Sequence, residues 1–501
     1  MENLVYEGKQ MTPAELHGGA SSPSAIWSSI DWKQVKHDVL RLQMRIAKSA
    51  RNKRWGRVQA LQRLLTRSHQ AKLLAVKRVT ENQGRKTSGV DGVVWVNDKQ
   101  KWEAATTISC KNYRSKPLRR IYIPKKNGKK RPLGIPAMKD RAMQALFLMA
   151  YEPVAEVTAD CHSYGFRPKR STADAIERCF NVLAQKTSAT WILEGDIKAC
   201  FDNISHKWLT QNIVFEKKVL KQWLNAGFMD KGRLSPTTGT PQGGIISPCL
   251  SNSALDGMEA MLKSITKPIQ KVHLVRYADD FIITASSKEL LVDTIKPAVM
   301  EFLLTRGLTL SEEKTLITTI KKGFDFLGFN VRKYDNKLLI KPSKSSIKSF
   351  LESIRTVIKK GISMPMVNLI SSINRKLVGW ANYYRHVVSS KVFGYVDSAI
   401  FKALHRMIKR KHPQKSASWL YRKYYTSRDN RYWMFIAPYR TSSGESRIVW
   451  LKKASDIAIR RHRQIISTAT PYDAERLGYF DNRARKLPSL QRLVGQSTLA
   501  L

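Results

Sequence analysis

Two adjacent aspartates, Asp279 and Asp280, stand between two apolar, β-branched runs, Val272 to Val275 and Phe281 to Thr284. That pattern predicts a hairpin with the two acids at its tip. Carboxylates so close repel unless a cation lies between them. A solvated Asp-Asp turn is the plain alternative, and the apolar flanks weaken it by placing the acids at the end of a buried sheet. A second run, Trp191-Ile192-Leu193-Glu194-Gly195-Asp196-Ile197, reads as a strand ending in Asp196. Were the strands neighbours, Asp196 would lie beside Asp279 and Asp280. Three oxygen ligands of that kind suit two Mg²⁺ ions, which prefer carboxylates and retained water. Such a pair can activate a 3′-hydroxyl and stabilise a leaving pyrophosphate.

Charge narrows the partner. Lys and Arg total 88 against 39 acidic residues, a formal net charge of +49. A folded chain carrying that charge is expected to meet a polyanion, and the 42% hydrophobic content excludes compositional disorder. No apolar run reaches membrane-spanning length and no secretory signal pattern opens the chain, so an intracellular home is expected, bacterial cytoplasm or organelle. Five cysteines (Cys110, Cys161, Cys179, Cys200, Cys249) contain no C-x-x-C pair, which argues against zinc and a disulfide framework.

Along the chain, a Gly/Ser/Pro-rich start predicts a mobile leader over residues 1–25, followed by an N-terminal extension over 26–92. Helical spacing places Val35, Val39, Leu42 and Ile46 on one face, then Trp55, Val58, Leu61 and Leu65 on another. Short strands, turns and helices across 93–340 predict an α+β region. Helical periodicity returns over 341–411, with Ile347, Phe350, Leu351, Ile354 and Ile358, then Ile370, Ile373, Leu377 and Trp380. The segment 412–501 is basic and aromatic with weak periodicity. Residues 341–501 hold 32 basic and 8 acidic residues, close to half the net charge.

Several segments together resemble the reverse transcriptases encoded by group II introns. Tyr277-Ala278-Asp279-Asp280 is similar to the YxDD box; Asp196 to His206 and Gly239 to Pro248 resemble the first palm motif and the PQGG motif. Lys86 to Gly92 resembles the motif ahead of the fingers. Ile123 to Pro136 and Ser163 to Pro168 resemble the fingers motifs, Gly307 to Thr315 and Phe326 to Phe329 the last palm motifs, and Leu377 to Tyr384 the maturase thumb signature. The likeness spans about residues 30 to 485. It implies a right-hand polymerase with fingers and palm over 93–340, a helical thumb or maturase domain over 341–411, and a basic DNA-binding domain over 412–501.

By that resemblance Asp196, Asp279 and Asp280 are the catalytic, metal-binding acids, with Ile197 beside them at the metals. Two Mg²⁺ ions are implied, with Mn²⁺ tolerated, and no zinc. Lys125, Arg131, Phe201 and Gln242 are implied to hold the incoming deoxynucleoside triphosphate. Lys125 and Arg131 bind phosphate on a hairpin turning at Asn127-Gly128. Phe201 acts as a sugar gate, a core phenylalanine being the competing reading. Arg167, Gly243, Tyr277, Ala278 and Lys314 are implied at template or primer, with a structural ion pair as the rival reading of Arg167. For RNA and DNA binding the candidates are Trp380, Tyr383, Arg385, Lys409, Arg410, Lys411, Arg422 and Lys423. In the tail, cations alternate with aromatics from Trp419 to Tyr425 and at Arg431-Tyr432-Trp433, which suits stacking on unpaired bases; core aromatics read the same way.

The expected function is RNA-directed DNA polymerisation joined to intron splicing and retrohoming, in a ribonucleoprotein with group II intron RNA that also engages target DNA. No membrane role is expected. The chain stops soon after Tyr479 to Arg483, where relatives begin an endonuclease module, and no cysteine follows Cys249. Cleavage of target DNA is therefore not expected, and priming would fall to another strand, such as one nascent at a replication fork. A splicing protein without a working polymerase and a host-adapted enzyme of defence or repair are the alternatives. Retention of all three acids weighs against the first, and an intact YxDD box against the second.

Overall fold

The computed structural model describes residues 22–124, 128, 130–230, 232–428 and 431–486. Lys125 and Asn127 lie outside them, as does most of the expected leader. That leader's expected boundary at residue 25 falls inside a helix, Pro23–Ser29, because Ser22 caps it and Pro23 fits the first turn.

Contacts divide the chain into two compact units, one reaching to Val154 and adding Val214–Thr237 and Pro241–Ser247, the other made of Ala155–Ile213, Thr238–Thr240 and Pro248 onward. These units cut across the boundaries expected at 92/93 and 340/341. In the first, the helix Trp32–Arg51 starts at Asp31, whose carboxylate accepts from the Lys33 and Gln34 amides at 2.8 and 3.2 Å. Its Val35, Val39 and Ile46 are buried, as are Val58, Leu61 and Leu65 of Trp55–Arg67, while Trp55 is exposed. A four-stranded sheet follows in the order Lys130–Ile135, Leu118–Pro124, Phe228–Asp230, Arg233–Ser235. Its first two strands form the hairpin expected around Gly128.

In the second unit an antiparallel sheet runs in the order His273–Tyr277, Asp280–Ala285, Trp191–Asp196, Leu316–Thr319. Trp191–Asp196 is central, and Ile192, Leu193, Ile282 and Ile283 are all but fully buried. A three-stranded sheet, Phe324–Phe326, Phe329–Tyr334 and Lys337–Pro342, adjoins the same core. Three long helices follow, Lys344–Lys360, Met366–Tyr384 and Ser390–Lys411; the apolar faces expected on the first two are buried except at Ile347 and Trp380, which are partly buried against the same core.

The tail is more ordered than its weak periodicity predicts. The helix Ala417–Tyr424 leads into a three-stranded antiparallel sheet, Tyr425–Arg428, Arg431–Arg440 and Ser446–Trp450. Tyr424, Tyr425 and Phe435 join the core, and the Tyr425 and His405 rings lie 6.4 Å apart, so packing continues across 411/412. The core reading therefore holds for Tyr424 and Tyr425, while Tyr432 and Trp433 remain exposed.

Candidate active site

Strand register sets this site. Asp196 pairs directly with Asp280, and Tyr277 with Asp280 across a two-residue turn made of Ala278 and Asp279. Ala278 takes the left-handed conformation, φ +57°, that such a tight turn demands. The three aspartates thus share one end of the buried sheet. Neighbouring strands on both sides of the central one pair its backbone.

The electrostatics call for a cation. Asp280 is pushed up to about 6 by desolvation at the sheet end and by the Asp279 and Asp196 carboxylates. Lys314, expected at template or primer, instead donates from Nζ to Asp196 Oδ2 at 2.8 Å, and that bond raises its pKa. Among the described residues no three His, Cys, Asp or Glu side chains converge into a closed metal-binding set. The donor set fits a hard divalent ion that completes its shell with water and substrate oxygens. Ile197 is buried and bridges to Leu310, with the Ser311 amide donating to the Asp196 carbonyl at 2.8 Å.

Phe201 begins one turn beyond Asp196, in the short helix Cys200–Asn203; it is buried and meets Phe166 edge-on, so much of its ring does core work. Ala278, expected beneath a primer end, is buried and abuts the backbone of Gly165, where a Cβ would come within 2.4 Å of the Ala278 nitrogen. It offers a primer little surface. Tyr277 is half-buried.

In the first unit Arg131 is exposed and donates from Nε to Gln242 Oε1 at 2.7 Å. The Gln242 carbonyl accepts from the Gly134 amide at 2.7 Å. Gly243 follows at φ +115°, where a Cβ would stand 2.4 Å from the Gly134 oxygen. The backbone at Gln242 and Gly243 thus closes on this hairpin.

Several expected nucleic-acid contacts are spent on packing. Arg167 is 5% exposed; Nε and Nη2 grip Glu156 at 2.9 Å each, and Nη1 donates to the Asp160 and Ser163 carbonyls. It is a structural ion pair rather than a template contact. Trp380 stacks on Phe350 at 4.6 Å, and Tyr383 stacks on Phe329 while its hydroxyl donates to the Leu327 carbonyl. Arg385 holds the Ala458 carbonyl through Nε and Nη2. Lys409, Arg410, Arg422 and Lys423 are exposed and Lys411 partly so; Lys423 lies 4.5 Å over the Trp419 ring. The Lys314 partner, Asp196, lies 118 residues away and left no signal in the sequence, whereas the buried Arg276 was visible there only as a charge within an apolar strand.

A buried antiparallel sheet ending in paired strand and hairpin carboxylates defines a nucleotidyl-transferring palm. Residues 123–331 match the family "Reverse transcriptase (RNA-dependent DNA polymerase)", 27–108 the "N-terminal domain of reverse transcriptase", and 347–425 the "Group II intron, maturase-specific domain". Protein YkfC of Escherichia coli is 33% identical over 322 residues, covering 54% of this chain and 82% of that protein. The group II intron-encoded protein LtrA of Lactococcus lactis is 28% identical, over 62% of this chain and 68% of that one. An apo telomerase from Candida tropicalis aligns with a TM-score of 0.38 and 14% identity, covering 61% of this chain and 60% of that one. The chain belongs to the group II intron-encoded reverse transcriptases: an RNA-directed DNA polymerase with a right-hand fold and an intron maturase domain. Its polymerase domain requires a divalent metal, and its two domains bind intron RNA and nucleic-acid substrates. Among the described residues no helix is long and apolar enough to cross a membrane.

Proposed function

We propose that Asp196, Asp279 and Asp280 hold two Mg²⁺ ions, or Mn²⁺ in their place, and that this site copies intron RNA into DNA during retrohoming. The observation that carries the reading is the direct pairing of Asp196 with Asp280 at the end of a buried sheet. Divalent ions bound there would supply activation of the primer 3′-hydroxyl and offset charge on the leaving pyrophosphate. Asp196 and Asp279 would be the main ligands of the ions, with Ile197 beside them and Asp280 supporting. The Lys314 ammonium, now on Asp196, holds the acids together until it yields its place. Lys125 and Arg131 take the triphosphate, with Gln242 orienting the Arg131 fork. Gly243 supplies the sharp turn beside that fork, Tyr277 packs near the primer, and Phe201 selects deoxyribose. The exposed cations Lys409, Arg410, Lys411, Arg422 and Lys423 track phosphates of intron RNA and target DNA. Residues 93–340 form fingers and palm, 341–411 the thumb and 412–501 the DNA-binding part.

The test is primer extension on an RNA template with Mg²⁺ and deoxynucleotides, comparing wild type with the double change Asp279→Ala and Asp280→Ala. Extension lost with RNA binding retained supports the reading. Extension that survives the double change refutes it.

A further inference from the structure

Beneath the hairpin lies an arginine that no catalytic role above uses. Arg276 is fully buried, three residues before Asp279 in the strand His273–Tyr277. Its Nη2 pairs with Asp256 Oδ1 and stands 3.9 Å from Asp160 Oδ2. Its Nη1 donates to Asn252 Oδ1 at 3.3 Å and, over a longer 3.4 Å, to the carbonyl of Ala278. The main chain of Arg276 is held as well: its amide donates to His162 and its carbonyl accepts from Tyr164, at 3.0 and 2.9 Å. Asn252 then reaches on to the Gly165 carbonyl at 2.7 Å, and Gly165 is the residue packed against Ala278.

We propose that Arg276 is a positioning residue that locks the Ala278–Asp279 peptide plane, and so aims the Asp279 carboxylate at the metals. A buried ion pair is weak evidence for stability, since apolar residues of similar volume often do as well or better. Nε of Arg276 also finds no acceptor among the described residues, which adds to that cost. What the guanidinium supplies that an apolar side chain cannot is a planar fork joining a floor of two carboxylates and an amide to the carbonyl of the turn. That carbonyl belongs to the peptide whose nitrogen is Asp279. Asp279 is repelled by Asp280 next to it and by Asp196 across the sheet, so an unheld turn would swing its carboxylate outward. Holding the carbonyl fixes the turn torsion that sets the direction of the Asp279 side chain, which preorganises the ligand before an ion arrives.

The inference rests on Asp279 being a metal ligand, and it is tested on an enzyme that still extends primers. Extension on an RNA template is titrated with Mg²⁺ for wild type and Arg276→Lys, with melting and RNA binding measured alongside. Lysine keeps the charge against Asp256 and Asp160 but cannot reach Asn252 and the Ala278 carbonyl at once. The half-saturating Mg²⁺ concentration is expected to rise about three- to tenfold, the equivalent of one lost hydrogen bond. The rate should recover at saturating Mg²⁺, with RNA binding unchanged. An unmoved Mg²⁺ midpoint would overturn the proposal, whatever the melting temperature does. Should Arg276→Lys not fold, the paired change Arg276→Gln with Asp256→Asn removes both charges together, and the same midpoint shift is expected. Failure of both variants to fold would make Arg276 a strut and would also overturn it. Failure of the underlying reading looks different: Asp279→Ala alone would then go on extending primers.

Discussion

Arg167 offers the sharpest test of how charge is used in this chain. The side chain is buried with its fork closed on both oxygens of Glu156 at 2.9 Å and with Nη1 on two main-chain carbonyls. Replacing it by leucine strands a buried carboxylate and leaves those carbonyls without their donor. Breaking such a pair from one side costs about 3–5 kcal/mol. Arg167→Leu should therefore lower stability by about that amount in denaturant or thermal melts. Adding Glu156→Leu should restore most of the loss, because the stranded charge goes with it. Template affinity, measured against salt, should keep its slope in the paired variant. A phosphate-binding arginine behaves in the opposite way: its loss leaves melting unchanged, weakens RNA binding and reduces the log–log salt slope by about one. That second pattern would refute the structural assignment.

Other consequences follow from the same packing. Burial and the neighbouring His462 depress His386 to about 4 from 6.5, with Asp174 pulling the other way. The unfolded chain therefore takes up the proton first as pH falls below about 6.5, and stability drops by about 2 kcal/mol at pH 5. His386→Leu should flatten that acid-side loss in melts run from pH 7 to pH 5; a loss of the same size in the variant would contradict it. Gly243→Ala forces a Cβ against the Gly134 oxygen at positive φ and should cost about 1–3 kcal/mol, read by melting. Changing Lys409, Arg410 and Lys411 together to alanine should lower the salt slope of RNA binding by about two to three and leave extension on a short template intact. Trp380→Leu should do the reverse, lowering the melting temperature with the slope unchanged.

The catalytic hairpin was legible because everything it needs is local. A two-residue turn between apolar runs fixes which residues sit at the tip, and strand periodicity does the rest. Asp196 was legible for a similar reason, since its run ends at the first charged residue with room to turn. The tail sheet was hidden because its strands mix burial states: Arg431–Arg440 carries buried Phe435 and Ala437 beside exposed Tyr432 and Trp433, and it includes Pro438. No clean alternation survives that mixture. The pairing of Lys314 with Asp196, and of Arg131 with Gln242, joins residues 118 and 111 positions apart, beyond the reach of any spacing argument.

Charge misled the sequence argument for a related reason. An excess of 49 positive charges invites every arginine near a motif to be given a phosphate, yet Arg141, Arg167, Arg170 and Arg276 are all 5% exposed or less. Each is held by carboxylates or main-chain carbonyls of the chain itself. In a chain this basic the acids are scarce, and Glu156, Asp160 and Asp256 are spent on the buried Arg167 and Arg276. With 88 cations to 39 acids, most surface cations cannot be matched within the chain, which is what a polyanion-binding face requires. A basic residue here is therefore to be assigned to nucleic acid by its exposure and freedom from internal carbonyls and acids. By that criterion Lys409, Arg410 and Lys423 qualify, Arg167 and Arg385 do not, and Arg276 serves the metals at one remove through the carbonyl of Ala278.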